Sequence, residues 1–147
     1  MKIALGADHG GFGLKNKIKE HLLQKGYEIM DCGTDSDQSA DYPEFGFKVG
    51  KAVTSNQVDV GIVICGTGIG ISIAANKVKG IRAALCTDSY MAKMAREHNN
   101  ANILALGARV VGPGLALDIV DTFLAVSFSG WRHTRRVDQI SEFEKSC

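Results

Sequence analysis

The sequence predicts a three-layer α/β domain: a five-stranded parallel sheet flanked by helices, with an additional helix at the C-terminus. Three observations carry this prediction. Short β-branched runs alternate with helix-period segments along the chain. The run Val58-Asp59-Val60-Gly61-Ile62-Val63-Ile64 is apolar enough for a strand buried on both faces. It stops at the glycine-rich turn Cys65-Gly66-Thr67-Gly68-Ile69-Gly70-Ile71-Ser72, where three alternate glycines let backbone N–H groups converge.

Residues 2–6 form the first predicted strand, residues 14–25 an amphipathic helix ended by Gly26, and residues 27–32 a second strand. Residues 33–42 are polar and rich in Ser and Asp, which predicts a loop. Pro43 then stands where it can start a helix running through Phe47 and Val53. After the third strand and its turn, residues 73–77 are helical and Gly80 closes the segment. Residues 81–86 and 102–107 read as the last two strands, separated by a helix over residues 89–97. Helices over residues 115–126 and 134–145 complete the chain, divided by the polar corner Ser127-Phe128-Ser129-Gly130-Trp131. Alternation of this kind implies right-handed crossovers and a Rossmann-like sheet.

Composition excludes several function classes. The chain has 147 residues, 45% of them hydrophobic, which suits one domain over residues 1–147 and not two. A net charge of +1 with scattered basic residues leaves no footprint for nucleic acid. The N-terminus lacks the pattern of a signal peptide and no apolar run is long enough to span a bilayer, so a soluble cytoplasmic protein is expected. Cys32, Cys65, Cys86 and Cys147 form no C-x-x-C pair, which points to reduced thiols and away from zinc or disulfides. The four histidines have no i, i+4 pair, and metal-free chemistry is expected.

Cys65 is the most informative residue. Free cysteine is often only a small buried hydrophobe, but ligands collect outside the carboxyl ends of parallel strands, and the start of a helix favours a thiolate. The turn is not a dinucleotide fingerprint, because Ile71 stands where spacing would require the third glycine. Nor is it a Walker loop, since no lysine follows its last glycine. No cofactor is expected, and a small oxyanion or a sugar oxygen remains as the ligand. Ala7-Asp8-His9-Gly10-Gly11 places an acid and an imidazole at the same expected sheet edge, although Asp8 also suits a simple helix cap. Arg96-Glu97-His98-Asn99-Asn100 closes the fourth helix with a group that exchanges protons near neutrality. Arg109, Arg132 and Arg136 suit phosphate, with Arg132 and Arg136 on one helical face, while Arg135 reads as a solvated side chain.

Asp8-His9-Gly10-Gly11, Asp41-Tyr42-Pro43, the run from Cys65 to Lys77, Glu97-His98-Asn99 and Arg132-His133 together closely resemble type B ribose-5-phosphate isomerase. That group also contains allose-6-phosphate and galactose-6-phosphate isomerases. The resemblance runs nearly end to end. It implies interconversion of ribose 5-phosphate and ribulose 5-phosphate in the pentose phosphate pathway, through a cis-enediol. It casts Cys65 as the base that moves a proton between C2 and C1, with His98 and Thr67 assisting ring opening. Gly66, Thr67, Gly68, Ile69 and Gly70 would hold the enediolate oxygen, and Asp8 and Asn99 sugar hydroxyls. Tyr42 would wall the site, while His9, Arg109, Arg132 and Arg136 bind phosphate. One branch of the group uses a glutamate as base at the position of Ser72; this chain has the cysteine and lacks that glutamate. Trp131 departs from the glycine usual before the first of these arginines. The resemblance also implies a homodimer or pair of dimers with shared sites.

Two further readings use the same residues. A thiol hydrolase would employ Cys65 as a covalent nucleophile with His98 and Asn99. A non-catalytic phosphosugar-binding module would need only the glycines and arginines.

Overall fold

In the computed structural model, which describes residues 1–147, the predicted alternation is realised. Strands β1 (Lys2–Ala7), β2 (Glu28–Asp31), β3 (Val60–Cys65), β4 (Ala83–Leu85) and β5 (Ile103–Gly107) are interleaved with α1 (Phe12–Gln24), α2 (Tyr42–Thr54), α3 (Ile69–Asn76) and α4 (Ser89–Glu97). Helices α5 (Pro113–Ala125) and α6 (Arg132–Lys145) follow β5. All pairings are parallel and the strand order is β2-β1-β3-β5-β4.

Two apolar clusters cover the two faces of the sheet. Leu14, Ile18 and Leu22 of α1 join Ala92 and Ala95 of α4 and Ile119 and Phe123 of α5 on one face. Phe45, Val49 and Val53 of α2 pack with Ile71 and Ala75 of α3 on the other. The central strand β3 is buried along its whole length, as its unbroken apolar run requires. No helix is long and apolar enough to cross a membrane.

Boundaries differ from expectation where glycine or proline takes a structural role. Helix α3 begins at Ile69, inside the glycine turn and four residues before the expected start, because Gly68 adopts φ 78° and turns the chain directly into the helix. Helix α5 starts at Pro113, which needs no N–H partner in a first turn. Helix α6 starts at Arg132 and buries only His133 and Val137.

Helix α1 and β2 are joined by an ion pair. Lys15, its side chain only 2% exposed, donates to both oxygens of Asp31 at 2.9 and 3.1 Å and to the Thr34 carbonyl at 2.9 Å. Burial works to raise the Asp31 carboxyl, but hydrogen bonds from Lys15, Lys19 and the Gly33 N–H outweigh it and hold the group below the usual carboxylate range. A depressed folded-state value stabilises the protein above the unfolded value of about 3.9. That contribution is lost as pH falls through the folded one. Asp31→Asn, which strands the buried ammonium, is expected to cost about 2–3 kcal/mol at pH 7, less than a fully buried pair because Asp31 is 22% exposed. Urea unfolding of both proteins at pH 7 and pH 3 checks this: the deficit should shrink on acidification.

Candidate active site

Strand order places the site. From β1 the chain passes to α1 on one face, and from β3 to α3 on the opposite face, so the two connections diverge at neighbouring strands. A crevice opens at such a switch point, outside the carboxyl ends of the strands. Ala7 pairs with Ile64, which sets Asp8 beside Cys65 at this edge.

Backbone approaches backbone closely here, at Gly107 to an extent that only glycine permits. A Cβ on Gly10 would lie 3.2 Å from the Gly66 nitrogen, and one on Gly107 would lie 2.5 Å from the Thr67 carbonyl oxygen. Ala108 N–H donates to the Cys65 carbonyl and Arg109 N–H to that of Gly66, each at 2.9 Å. The turn is thus clamped between the chain leaving β1 and the chain leaving β5.

Cys65, the last residue of β3 and 5% exposed, presents Sγ back into its own turn, where the Gly68 N–H donates to it at 3.1 Å. A donor aimed at sulfur stabilises negative charge there. The Ile69 N–H is taken by Thr67 Oγ1 at 3.2 Å and the Ser72 N–H by the Gly68 carbonyl. Gly70 and Ile71 then carry the remaining N–H groups of the first turn of α3, which have no partner within the helix. Burial pushes the Cys86 thiol up to about 11 and raises Cys32 as well. Ser72 is 8% exposed and donates its hydroxyl to the Ile69 carbonyl at 2.7 Å, so it offers no competing base.

Asp8, 7% exposed, accepts from the Gly11 N–H at 3.1 Å, so it does cap the turn as well as line it. The imidazole of His9 is held by Ala40, whose N–H lies 3.1 Å from Nδ1. The Ala40 carbonyl oxygen lies 3.3 Å from the same nitrogen, so the ring accepts from the one group or donates to the other according to its tautomer. The Tyr42 ring lies directly over Gly70, where a Cβ would meet its Cζ at 2.6 Å. Arg109 lays its guanidinium over Gly66, with Nη1 2.9 Å from where a Cβ would sit.

His98, Asn99, Arg132 and Arg136 form a second group. Helix α4 returns the chain to the opposite edge of the sheet, and Arg82, just before β4, donates from Nε to the Asn99 and Asn100 carbonyls. Cys65 pairs with Gly107 at one end of β5, and Gly61 with Ile103 at the other. Four residues of strand separate these levels by roughly 13 Å. Within one chain the thiol and the His98 ring therefore lie at opposite edges. The Cys–His contact of a thiol hydrolase is absent within the chain.

This second group contains a residue the sequence reading left without a role. His133 stacks on His98 with ring centroids 4.0 Å apart and planes inclined by 12°. The one available signal was its spacing from Val137, an i, i+4 pair on an otherwise polar helix. Burial, the His98 ring and the guanidinium groups of Arg132 and Arg136 together hold His133 below the usual imidazole range, with Glu97 opposing them. Ser129, Gly130, Trp131, Arg132 and His133 line a cavity of about 430 Å³. Trp131 keeps the backbone a glycine would favour, φ 52° and ψ −126°, and leaves its side chain 93% exposed. Such a conformation costs a non-glycine residue about 1–3 kcal/mol.

A parallel sheet with a thiol over an amide-rich turn at its switch point, and a basic cluster at the other edge, defines an α/β enzyme acting on a small anionic substrate. Residues 3–140 match the Ribose/Galactose Isomerase family model, and the chain belongs to that family. Ribose-5-phosphate isomerase B of Escherichia coli is 51% identical, over 98% of this chain and 97% of the relative. The solved structure of Clostridium thermocellum ribose-5-phosphate isomerase B matches with a TM-score of 0.98 at 64% identity, covering 99% of each chain. That of Mycoplasma genitalium ribose-5-phosphate isomerase B with bound ribulose-5-phosphate matches with a TM-score of 0.95 at 45% identity, covering 99% of this chain and 97% of the other.

Proposed function

We propose that this chain interconverts ribose 5-phosphate and ribulose 5-phosphate through a cis-enediol intermediate, in the cytoplasm and as a step of the pentose phosphate pathway. The observation that carries the reading is the Cys65 thiol, held by the Gly68 N–H at 3.1 Å on a turn with further amides open. The Cys65 thiolate takes the C2 proton of the open-chain aldose. The electron pair moves to form the C1–C2 double bond, and the carbonyl oxygen becomes an enediolate facing the turn. The O2 hydroxyl proton passes to O1, and Cys65 then returns its proton to C1 as the O2 electron pair forms the ketone. Amide donors preset for the enediolate are each worth about 3–4 kcal/mol in comparable oxyanion sites.

Asp8 holds a sugar hydroxyl, Thr67 assists at the ring oxygen and Tyr42 walls the site. His9 and Arg109 approach the phosphate from this edge. The remaining groups reach it from a second copy of the chain: His98 opens the furanose ring, Asn99 holds a hydroxyl, and Arg132 and Arg136 complete phosphate binding. The separation of the two groups across the sheet supports this homodimeric arrangement. So does α6, which buries only two residues against its own chain and exposes Ile140 and Phe143.

Incubating ribose 5-phosphate with the protein in deuterated water tests the chemistry. Deuterium should enter C2 of the recovered aldose and C1 of the ketose. A trapped acyl-thioester without exchange would instead restore the nucleophile reading, and phosphosugar binding with no turnover would leave a binding module.

A further inference from the structure

We infer that His133 is a positioning residue that holds the His98 imidazole in one orientation for opening the sugar ring, a role that rests on the isomerase reading above. His98 stands just beyond the last turn of α4, at the start of a short loop. An imidazole in such a place samples several rotamers unless something packs on it. The buried His133 ring supplies that packing, face to face at 4.0 Å and nearly parallel. The loop beside it is tied down as well, since the Ser129 N–H donates to the Glu97 carbonyl at 3.0 Å. His133 is also one of only two buried residues on α6. The contact therefore orients His98 from α6, a helix that Val137 and a hydrogen bond from the Gly80 N–H to Glu144 at 2.8 Å dock independently.

His133 faces His98, Glu97, Arg132 and Arg136, and burial and its cationic neighbours hold its imidazole below the usual range. The ring that exchanges protons with the sugar is the less buried one packed on it, with its plane already set.

The two halves of the reaction separate experimentally because the ketose has no ring. Its C5 oxygen carries phosphate and cannot close on C2. Exchange of a ribulose 5-phosphate C1 proton with deuterated solvent therefore needs Cys65 and the turn but no ring opening. Ribose 5-phosphate, closed through O4, needs both. His133→Ala should lower conversion of ribose 5-phosphate by roughly 10²-fold, the scale of a displaced acid–base group. Its C1 exchange of ribulose 5-phosphate should stay within about twofold of the parent, which also reports an intact fold. His133→Phe, which keeps a flat ring against His98, should recover most of the lost conversion. Parallel loss of both reactions in both variants, or no loss in either, would overturn the positioning role. A parent protein that exchanges neither substrate would sink the isomerase reading itself.

Discussion

Cys65→Ala is expected to reduce conversion of ribose 5-phosphate by about 10²–10⁴-fold, with the loss in kcat and little change in KM. The thiol is the only side chain on its turn placed to act as the base at carbon, because the Thr67 and Ser72 hydroxyls are engaged with the start of their own helix and the amides can only donate. Removing one small side chain at the end of a buried strand leaves the backbone clamp of Gly10, Gly66 and Gly107 in place, so substrate binding should persist. Steady-state kinetics on a variant with a native thermal midpoint checks the result. Turnover equal to the parent would remove Cys65 from the mechanism and leave the turn as a binding feature only.

Mixing two inactive variants should restore activity. Cys65→Ala and His98→Ala each disable every site in their own homodimers if each site takes its thiol from one chain and its imidazole from the other. After subunit exchange, a mixed dimer carries one site with both defects and one site with neither. Random pairing makes half the dimers mixed, so the recovered rate should approach about a quarter of the parent's. The measurement is turnover of an equimolar mixture before and after mild denaturation and refolding. A mixture that stays as inactive as its components would show that the thiol and imidazole act from one chain. That outcome would require His98 to cross the roughly 13 Å between the two ends of β5.

Much of this was legible in advance, and the particular residues explain why. The bounds of α4 follow from its hydrophobic period and from Asp88, which caps it by accepting from the Met91 N–H at 2.8 Å. Such signals are local. Cys65 was legible at the end of β3 because a β-branched run and a glycine series meet there. The start of α3 was not, since helix onset depended on Gly68 taking a positive φ, which composition permits without requiring. The strand order was also hidden: alternation implies parallel pairing but does not say on which side of β1 the third strand lands. The His98–His133 stack joins residues far apart in the chain, and no periodicity links them. Arg132 and Arg136 were legible as a helical pair, but their distance from Cys65 within one chain follows only from tertiary structure.

The floor beneath the candidate site is made of main chain, clamped where Gly10 meets Gly66 and Gly107 meets Thr67. This limits how the enzyme can diverge. A substitution at Gly107 brings a methyl group to 2.5 Å from the Thr67 carbonyl oxygen, main chain that has nowhere to yield, and one at Gly10 crowds the Gly66 nitrogen, so the turn is expected to change little or be lost. Tyr42, Asn99 and the arginines are exposed and are held by no comparable main-chain contact. Variation can accumulate there at little cost to folding. New sugar specificities would therefore arise by redecorating the exposed rim, above a floor too tightly built to drift.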